Sequence, residues 1–455
     1  MFLRALLLLL LLPLKAAAQD SLNIRLLGVW DDPALPASGL YDNTYNGSWG
    51  YARDGREYGI IGSTMGTHII DVTDPADLQE LHFIPGAVQG ANVIHREYKT
   101  YRDRLYAVTD EGPGTLQIID LSGLPGTVSV LYDSNDLFFR AHTLWIDTAQ
   151  ARLYTHAGNS DFAVYSLADP DQPVLLLKPE VSVPWWSNVG PVHDAYTVNN
   201  ICYANAIDGM HVLDLSDVGN PQLIGSLTNY PQAGYNHSGW LHDNGWLYVM
   251  CDETHNTRVK LFDVSDPSDI QFIDTIGPAT RINNIPHNPF LQGDLLHLAY
   301  YYDGYWLYDV SDPANAQLLG YYDGSLVPDG FSYKGLWGLY PWLPSGRVIG
   351  ADMQRGLMVF DIGAALSVRD EPRKPEAVLH VWPTPATDQL RVALDRGRSE
   401  RIDVELLDLQ GRTVLRARIT NDTPLDIAAL PAGTYLVRAT VDGRTYTART
   451  ITMKA

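Results

Sequence analysis

Short apolar runs that end in an aspartate, or once in a serine, recur seven times along the chain: GTHIIDVTDP from Gly66, GTLQIIDLSG from Gly114, SDFAVYSLADP from Ser160, GMHVLDLSDV from Gly209, RVKLFDVSDP from Arg258, GYWLYDVSDP from Gly304 and RGLMVFDIG from Arg355. Their terminal residues, Asp71, Asp120, Ser166, Asp214, Asp263, Asp309 and Asp361, are spaced 46 to 52 residues apart. That period, filled with β-branched and aromatic residues between Gly, Asn and Asp turns, predicts four-stranded propeller blades. The third copy displays four strands in order, AHTLWIDTA from Ala141, ARLYTHAG from Ala151, DFAVYSL from Asp161 and QPVLLLKPE from Gln172. Proline cannot donate to a ladder, and Ser and Asp side chains bond nearby amides. The Asp-Ser/Thr-Asp-Pro segment therefore stops the third strand, and Asp71, Asp120, Asp214, Asp263, Asp309 and Asp361 are expected to hold turns.

A Leu/Ile-rich fourth strand follows most copies, as in PQLIGSLTNY from Pro221 and AQLLGYYDG from Ala316, but none follows Asp361. The matching segment is NIRLLGVWDD at Asn23, which is expected to be the outer strand of the seventh blade and to close the ring. The expected fold is all-β: a seven-bladed β-propeller over 22–365 closed by the N-terminal strand, then a linker at 366–377. A small antiparallel β-sandwich follows at 378–455, where apolar and polar residues alternate between turns. Residues 1–18 carry Arg4, an apolar run from Ala5 to Leu12 and an Ala16-Ala17-Ala18 site, the layout of a secretory signal peptide.

The net charge of −21 over 455 residues excludes binding to phosphate backbones, which takes clustered Lys and Arg, and disfavours anionic membrane surfaces. It suits a soluble chain, expected to be monomeric, and would also attract divalent cations. Cys202 and Cys251 lie almost one repeat apart, but relative to the aligned tyrosines Tyr203 and Tyr248 they are offset by four strand positions, about 13 Å. Disulfide Cα atoms lie within about 7 Å, so two separate buried thiols are expected.

In the C-terminal module, Pro383-Thr384-Pro385-Ala386-Thr387-Asp388, Asp408-Leu409-Gln410-Gly411-Arg412 and Leu430-Pro431-Ala432-Gly433-Thr434-Tyr435 resemble the type A sorting domain of the type IX secretion system of Bacteroidetes-type bacteria. Thr384 stands where that family usually has Asn. The resemblance implies Sec export to the periplasm, engagement of the type IX machinery, removal of this domain, and release or attachment at the outer-membrane surface. The repeats resemble LVIVD-repeat propellers, in particular the secreted choice-of-anchor B group. No established activity comes with that resemblance.

Loops entering the inner strands and those joining second to third strands emerge on one propeller face. They bring His142, His193 with Asp194, His237 and His287 to the channel mouth, with Arg96 and Glu97 in the second blade and Trp337 in the seventh. The second turns add Asp110, Glu111, Asp161, Asp208, Asp252, Glu253, His255, Asp303 and Asp352. Imidazoles ringed by carboxylates suit zinc, and a carboxylate-only set would suit calcium. The metal candidates are His142, His193, His237, His287, Asp252 and Glu253. The same face could instead take an extracellular glycan, peptide or protein, or the histidines could only cap backbone carbonyls. No G-x-S-x-G elbow, H-E-x-x-H helix or phosphate-cradling loop is present. The reading is therefore a binding module, with a metal-dependent hydrolase or lactonase-like enzyme, His193/Asp194 or His237 its base, as the alternative. Aromatics such as Trp240, Trp246 and Trp306 could line a groove or fill blade cores.

Overall fold

A computed structural model describes residues 20–370 apart from 159–160, 279–282 and 326–329, and residues 379–452 apart from 395–400, 421–422 and 442–443. The expected signal peptide at 1–18 and residues 371–377 of the expected linker lie outside the described residues. The chain divides into two compact units, Met1–Asp370 and Glu371–Ala455. Among the described residues no helix is long and apolar enough to cross a membrane.

The first unit is a succession of antiparallel sheets, the arrangement of β-propeller blades. The first sheet holds Tyr45–Arg53, Arg56–Ser63, Gly66–Asp71 and Gln79–Pro85. The next six repeat that order, and their innermost strands are Arg96–Tyr101, Thr143–Asp147, Val192–Val198, Asn236–Leu241, Asn288–Gln292 and Leu336–Tyr340. In the seventh sheet the outer position is taken by Arg25–Trp30, which pairs antiparallel with Gly356–Asp361, Arg25 opposite Asp361. Asp20–Leu22 adds a fifth strand to the sixth sheet by pairing with Gln317–Asp323, a strand that the repeat pattern did not suggest.

Apolar side chains fill the spaces between consecutive sheets. Tyr58, Ile60 and Ile69 of the first sheet meet Tyr98 and Leu105 of the second, and Tyr305 and Leu307 of the sixth meet Leu339 and Phe360 of the seventh. Ile349, Leu357 and Val359 of the seventh meet Tyr45, Ile61 and Ile70 of the first. The innermost strands likewise lie beside one another in chain order, and Leu336–Tyr340 lies beside Tyr45–Arg53.

Two local devices repeat. Asp71 accepts from the amide of Thr73 at 2.9 Å, Asp120 from Ser122, Asp214 from Ser216, Asp263 from Ser265, Asp309 from Ser311 and Asp361 from Gly363. In the third copy the Ser166 hydroxyl takes the amide of Ala168 at 3.2 Å, so serine supplies the same turn. Every outer strand also carries a one-residue bulge against its third strand. The extra residues are Leu81, Leu131, Leu176, Ile224, Ile273, Leu319 and, in the N-terminal strand, Leu27. A bulge adds twist and bends the strand, and its Leu or Ile is what makes the fourth-strand signature visible in sequence.

Residues 366–370, expected as linker, belong instead to the helix Gly363–Asp370. Ala365 is buried against the sixth and seventh sheets, and Arg369 bonds Asp294 at 2.6 Å and Asp309 at 3.1 Å, which holds the turn on the first unit. Cys202 and Cys251 are free and buried. Burial pushes the Cys202 thiol up to about 12 and the Cys251 thiol higher still.

The second unit stacks a sheet of Leu379–Trp382, Gln389–Leu394 and Pro424–Asp426 on one of Arg401–Leu407, Thr413–Thr420, Gly433–Val441 and Arg444–Thr452. Leu390 and Val392 of one sheet pack with Val404, Leu406 and Val437 of the other. The three sequence motifs are its joints. Asp408 accepts from the amides of Gln410 and Arg412, each at 3.0 Å, Tyr435 donates to the Pro431 carbonyl at 2.9 Å, and Thr384 Oγ1 takes the amide of Ile451.

The turn aspartates set the acid limit of the fold. Hydrogen bonds from Ser216 and Ser265 hold Asp214 and Asp263 below the usual carboxylate range. In Asp71, Asp120 and Asp309 burial works against the charge, but the turn hydrogen bonds and neighbouring arginines more than offset it. Lowered carboxylates stabilise fully above their unfolded value of about 3.9, and that contribution is lost as pH falls through the folded values. Urea midpoints measured from pH 7 to pH 2 are expected to begin falling near pH 6.5, where the buried neutral histidines His193, His287 and His297 start to protonate in the unfolded chain, and the turn carboxylates add a further loss below about pH 4. Changing Asp214 and Asp263 to Asn keeps the turn acceptor and is expected to shrink the acid drop; an undiminished drop would refute the assignment.

Candidate functional site

Five of the inner strands begin with a break in the ladder, and the break aims a ring at the centre. His193 is the extra residue between Val192 and Asp194, His237 between Asn236 and Ser238, and Trp337 between Leu336 and Gly338. His142 and His287 precede their strands, yet their amides bond the carbonyls of His156 and Ala299, which already face Thr143 and Asn288, so these two occupy the same bulge position. Bulges re-aim side chains in this way beside functional sites.

The result is an unbroken cycle of six rings from six sheets. His95 and His142 stack 4.0 Å apart, His142 and His193 are 4.5 Å apart, His193 and His237 4.2 Å, and His237 and His287 4.6 Å. Trp337 lies 4.6 Å from His287 and 5.2 Å from His95, which completes the circuit. His95, in the sequence IHRE, is the member that the sequence reading passed over for its neighbours Arg96 and Glu97. The available signal was its place one residue before an inner strand, the place of His142 and His287.

Three of the imidazoles have fixed tautomers. His193 Nδ1 donates to the His237 carbonyl and His237 Nδ1 to the His287 carbonyl, each at 3.1 Å, while His287 Nδ1 bonds the Trp337 carbonyl. A hydrogen bond at Nδ1 leaves the lone pair on Nε2. Burial pulls His193 and His287 down to about 3 and His237 well below its ordinary value, so all three are neutral.

Two acids meet the ring from the second turns. Glu253 places Oε2 3.8 Å from His237 Nε2 and Oε1 3.9 Å from His287 Nε2, and Tyr301 donates its hydroxyl to Oε1. Burial raises Glu253 to about 7. On the other side Asp110 Oδ2 accepts from His142 Nδ1 at 2.6 Å. Burial opposes the charge of His142, but this bond and the nearby carboxylates more than offset it and raise its value. Glu111 beside Asp110 is pushed up to about 8, by burial first and by that neighbour second. His95, Asp110 and His142 form one group with metal-ligand spacing, and His237, Glu253 and His287 form another.

Of the remaining candidates, Glu97 also reaches the ring, through His95. Arg96 is buried with Nε on the Ser63 carbonyl at 2.8 Å and Nη2 on the Val88 carbonyl at 2.6 Å, so it ties the first sheet to the second. Glu97 pairs with Lys99 at 2.5 Å and places Oε2 3.8 Å from His95 Nε2, and Asp194 lies 3.5 Å from His156 Nδ1. Asp208 is 74% exposed, and Asp352 accepts the amides of Gln354 and Arg355 in its own turn. Of the second-turn acids, Asp110 and Glu253 lie against the ring's imidazoles, with Glu111 beside Asp110.

Below the ring a cavity of about 50 Å³ is lined by Glu97, Lys99, Thr143, Asp194, Ser238 and Asn288 among others. Lys99, Trp145 and Trp240 also line a wider cleft of about 460 Å³, with Trp49, Tyr340 and Trp342. Trp240 and Trp342 stack 5.1 Å apart, Trp145 stands perpendicular to Trp240 at 5.0 Å, and the Lys99 ammonium lies 4.4 Å over Trp49. These aromatics are the first-turn residues of the inner strands, three positions beyond the histidines, as Trp145 follows His142, Trp240 follows His237 and Tyr340 follows Trp337.

The chain is similar to several solved structures. A computationally designed protein, Ika8, is 12% identical with a TM-score of 0.43, over 71% of this chain and 98% of that one. A protein from Lactobacillus plantarum is 13% identical with a TM-score of 0.47, over 84% and 96%. The Cps50 (Swd1) β-propeller domain of Myceliophteria thermophila is 10% identical with a TM-score of 0.45, over 67% and 93%. No curated protein matches the chain. Residues 380–453 match the secretion system C-terminal sorting domain, which implies an interaction with the type IX machinery and export.

Asp252, the neighbour of Glu253, faces away from the histidines into the space between sheets. Its Oδ2 pairs with Lys260 Nζ at 2.6 Å, both side chains fully buried, while Oδ1 accepts from Tyr230 at 3.0 Å and Asn236 at 3.2 Å. All of its acceptor sites are thus committed within the sheet. Lys260→Met strands a buried charge and is expected to cost about 3–5 kcal/mol in urea unfolding. Adding Asp252→Asn is expected to recover part of the loss; a single-variant cost below about 1 kcal/mol would refute the ion pair.

Proposed function

We propose that the protein is an exported, closed seven-bladed β-propeller that binds a ring-bearing extracellular ligand, a glycan or an aromatic peptide side chain, in the cleft of Trp49, Trp145, Trp240, Tyr340 and Trp342. The observation that carries this reading is the cleft itself. At about 460 Å³ it falls in the size range of small-molecule sites, which are concave and mostly aromatic. Its rings are half-buried, and flat faces turned to solvent stack on sugars or arenes. Lys99, Thr100 and Thr148 give it a few polar contacts at the edge.

Closure is supported by the seven interfaces, the seventh on the first, and by the N-terminal strand seated in the last sheet. Residues 1–18 act as the Sec signal in this reading, the sorting domain directs the second crossing, and the repeats are of the LVIVD type.

Tryptophan fluorescence of the full chain, titrated with cello- and chito-oligosaccharides and with Phe- or Tyr-containing tripeptides, is expected to respond saturably to one of the two classes. Trp240→Ala with Trp342→Ala is expected to weaken that binding by about 1–3 kcal/mol, the worth of lost aromatic contacts. No saturable response to either class would overturn the reading. Deleting residues 376–455 is expected to leave the protein in the periplasm, and undiminished release without them would refute the delivery route.

A further inference from the structure

We infer that His237, His287 and Glu253 form a binding site for one zinc-class divalent ion, at the opposite end of the inner strands from the aromatic cleft. The two imidazole Nε2 atoms and the two carboxylate oxygens face each other at 3.8 and 3.9 Å. In a tetrahedral zinc site with bonds of about 2.0–2.1 Å, neighbouring ligand atoms stand about 3.3–3.4 Å apart. The three ligand atoms lie within 4.8 Å of one another, so the two His–Glu distances close by roughly half an ångström and the widest separation by up to about 1.5 Å, within reach of side-chain rotation.

The surroundings are those that a metal site requires. Ligating histidines donate the other ring nitrogen to a carbonyl or carboxylate, which fixes the ring and its tautomer. His237 and His287 already do so, to the carbonyls of His287 and Trp337. Ligating carboxylates are themselves hydrogen-bonded, and Tyr301 supplies that bond to Glu253. Without an ion, two neutral imidazoles would direct their lone pairs at an acceptor, an arrangement that a cation relieves. Two nitrogens and one oxygen select zinc, cobalt, nickel or copper over calcium, which takes six to eight oxygens.

The companion group is organised differently. In His95, Asp110 and His142 the carboxylate is already bonded to His142 Nδ1 at 2.6 Å, and the two imidazoles stack face to face. There the carboxylate meets His142 through Nδ1 rather than Nε2 and His95 Nδ1 has no partner, whereas His237 and His287 have Nδ1 fixed and turn Nε2 to one carboxylate, so the site is assigned to His237, His287 and Glu253. Three protein ligands leave a fourth position for a water or a ligand donor.

The test uses the full chain, stripped with a chelator and titrated with Co²⁺ alone. One equivalent is expected to bind with the visible absorption of a four-coordinate nitrogen and oxygen site, and Zn²⁺ is expected to displace it. His237→Asn with His287→Asn keeps a donor near each Nδ1, and so the bonds to the carbonyls, while removing Nε2. It is expected to weaken Co²⁺ binding at least 100-fold with an unchanged melting temperature. Glu253→Gln is expected to weaken it about 10- to 100-fold, and His142→Asn to leave it intact. Retention of the ion by the double Asn variant, no stoichiometric Co²⁺ binding by the parent chain, or preference for Ca²⁺ would each overturn the assignment. Trp240→Ala with Trp342→Ala is expected to leave the metal in place, so failure of the cleft and failure of the metal site read out separately.

Discussion

Each sheet of the first unit is apolar on both faces, and the fold is the answer to that constraint. In the fifth sheet Tyr248, Met250 and Phe262 face the fourth, while Leu247, Val249 and Leu261 face the sixth. Burying one such side chain stabilises by about 1.5–3 kcal/mol, and a lone sheet could collect only half of that. Neighbours on both sides are therefore required, and the seventh sheet finds one where it meets the first. Ile349, Leu357 and Val359 against Tyr45, Ile61 and Ile70 are that meeting.

Much of this was legible because it is periodic. The turn aspartates showed in sequence, and the hydrogen bonds to Thr73, Ser122, Ser216, Ser265, Ser311 and Gly363 are the reason they recur. The outer-strand role of the segment at Asn23 was legible as well, because Leu27 holds the bulge position of Ile224 and Leu319. What the period could not convey was side-chain direction. Asp252 and Glu253 are adjacent, yet one ends a strand facing the inter-sheet core and the other opens a turn over the histidines. Arg96 and His95 differ in the same way. The helix Gly363–Asp370 was hidden because Arg369 and Asp370 read as linker charge, whereas Arg369 is paired with Asp294 and Asp309 on distant turns.

Most rings of the cycle sit where the ladder is broken at the start of an inner strand. A regular strand would alternate its side chains between the two flanking interfaces, and the channel would receive only backbone edges. The extra residue at those strand starts frees a ring from that alternation, and in His193, His237 and His287 Nδ1 then reaches the carbonyl of the next sheet. The chemistry at the centre and the spacing of the sheets are thus held by the same bonds, so a change in one is felt in the other.

The pairing of Arg25 with Asp361 joins residues 336 positions apart in sequence. A strand made early in synthesis waits for a partner made after nearly all of the repeat array. Until then the last sheet lacks its edge, and the first presents the uncovered face of Ile61 and Ile70. The last sheet therefore cannot be completed until nearly all of the repeat array has been made, although its outer strand is among the first segments synthesised.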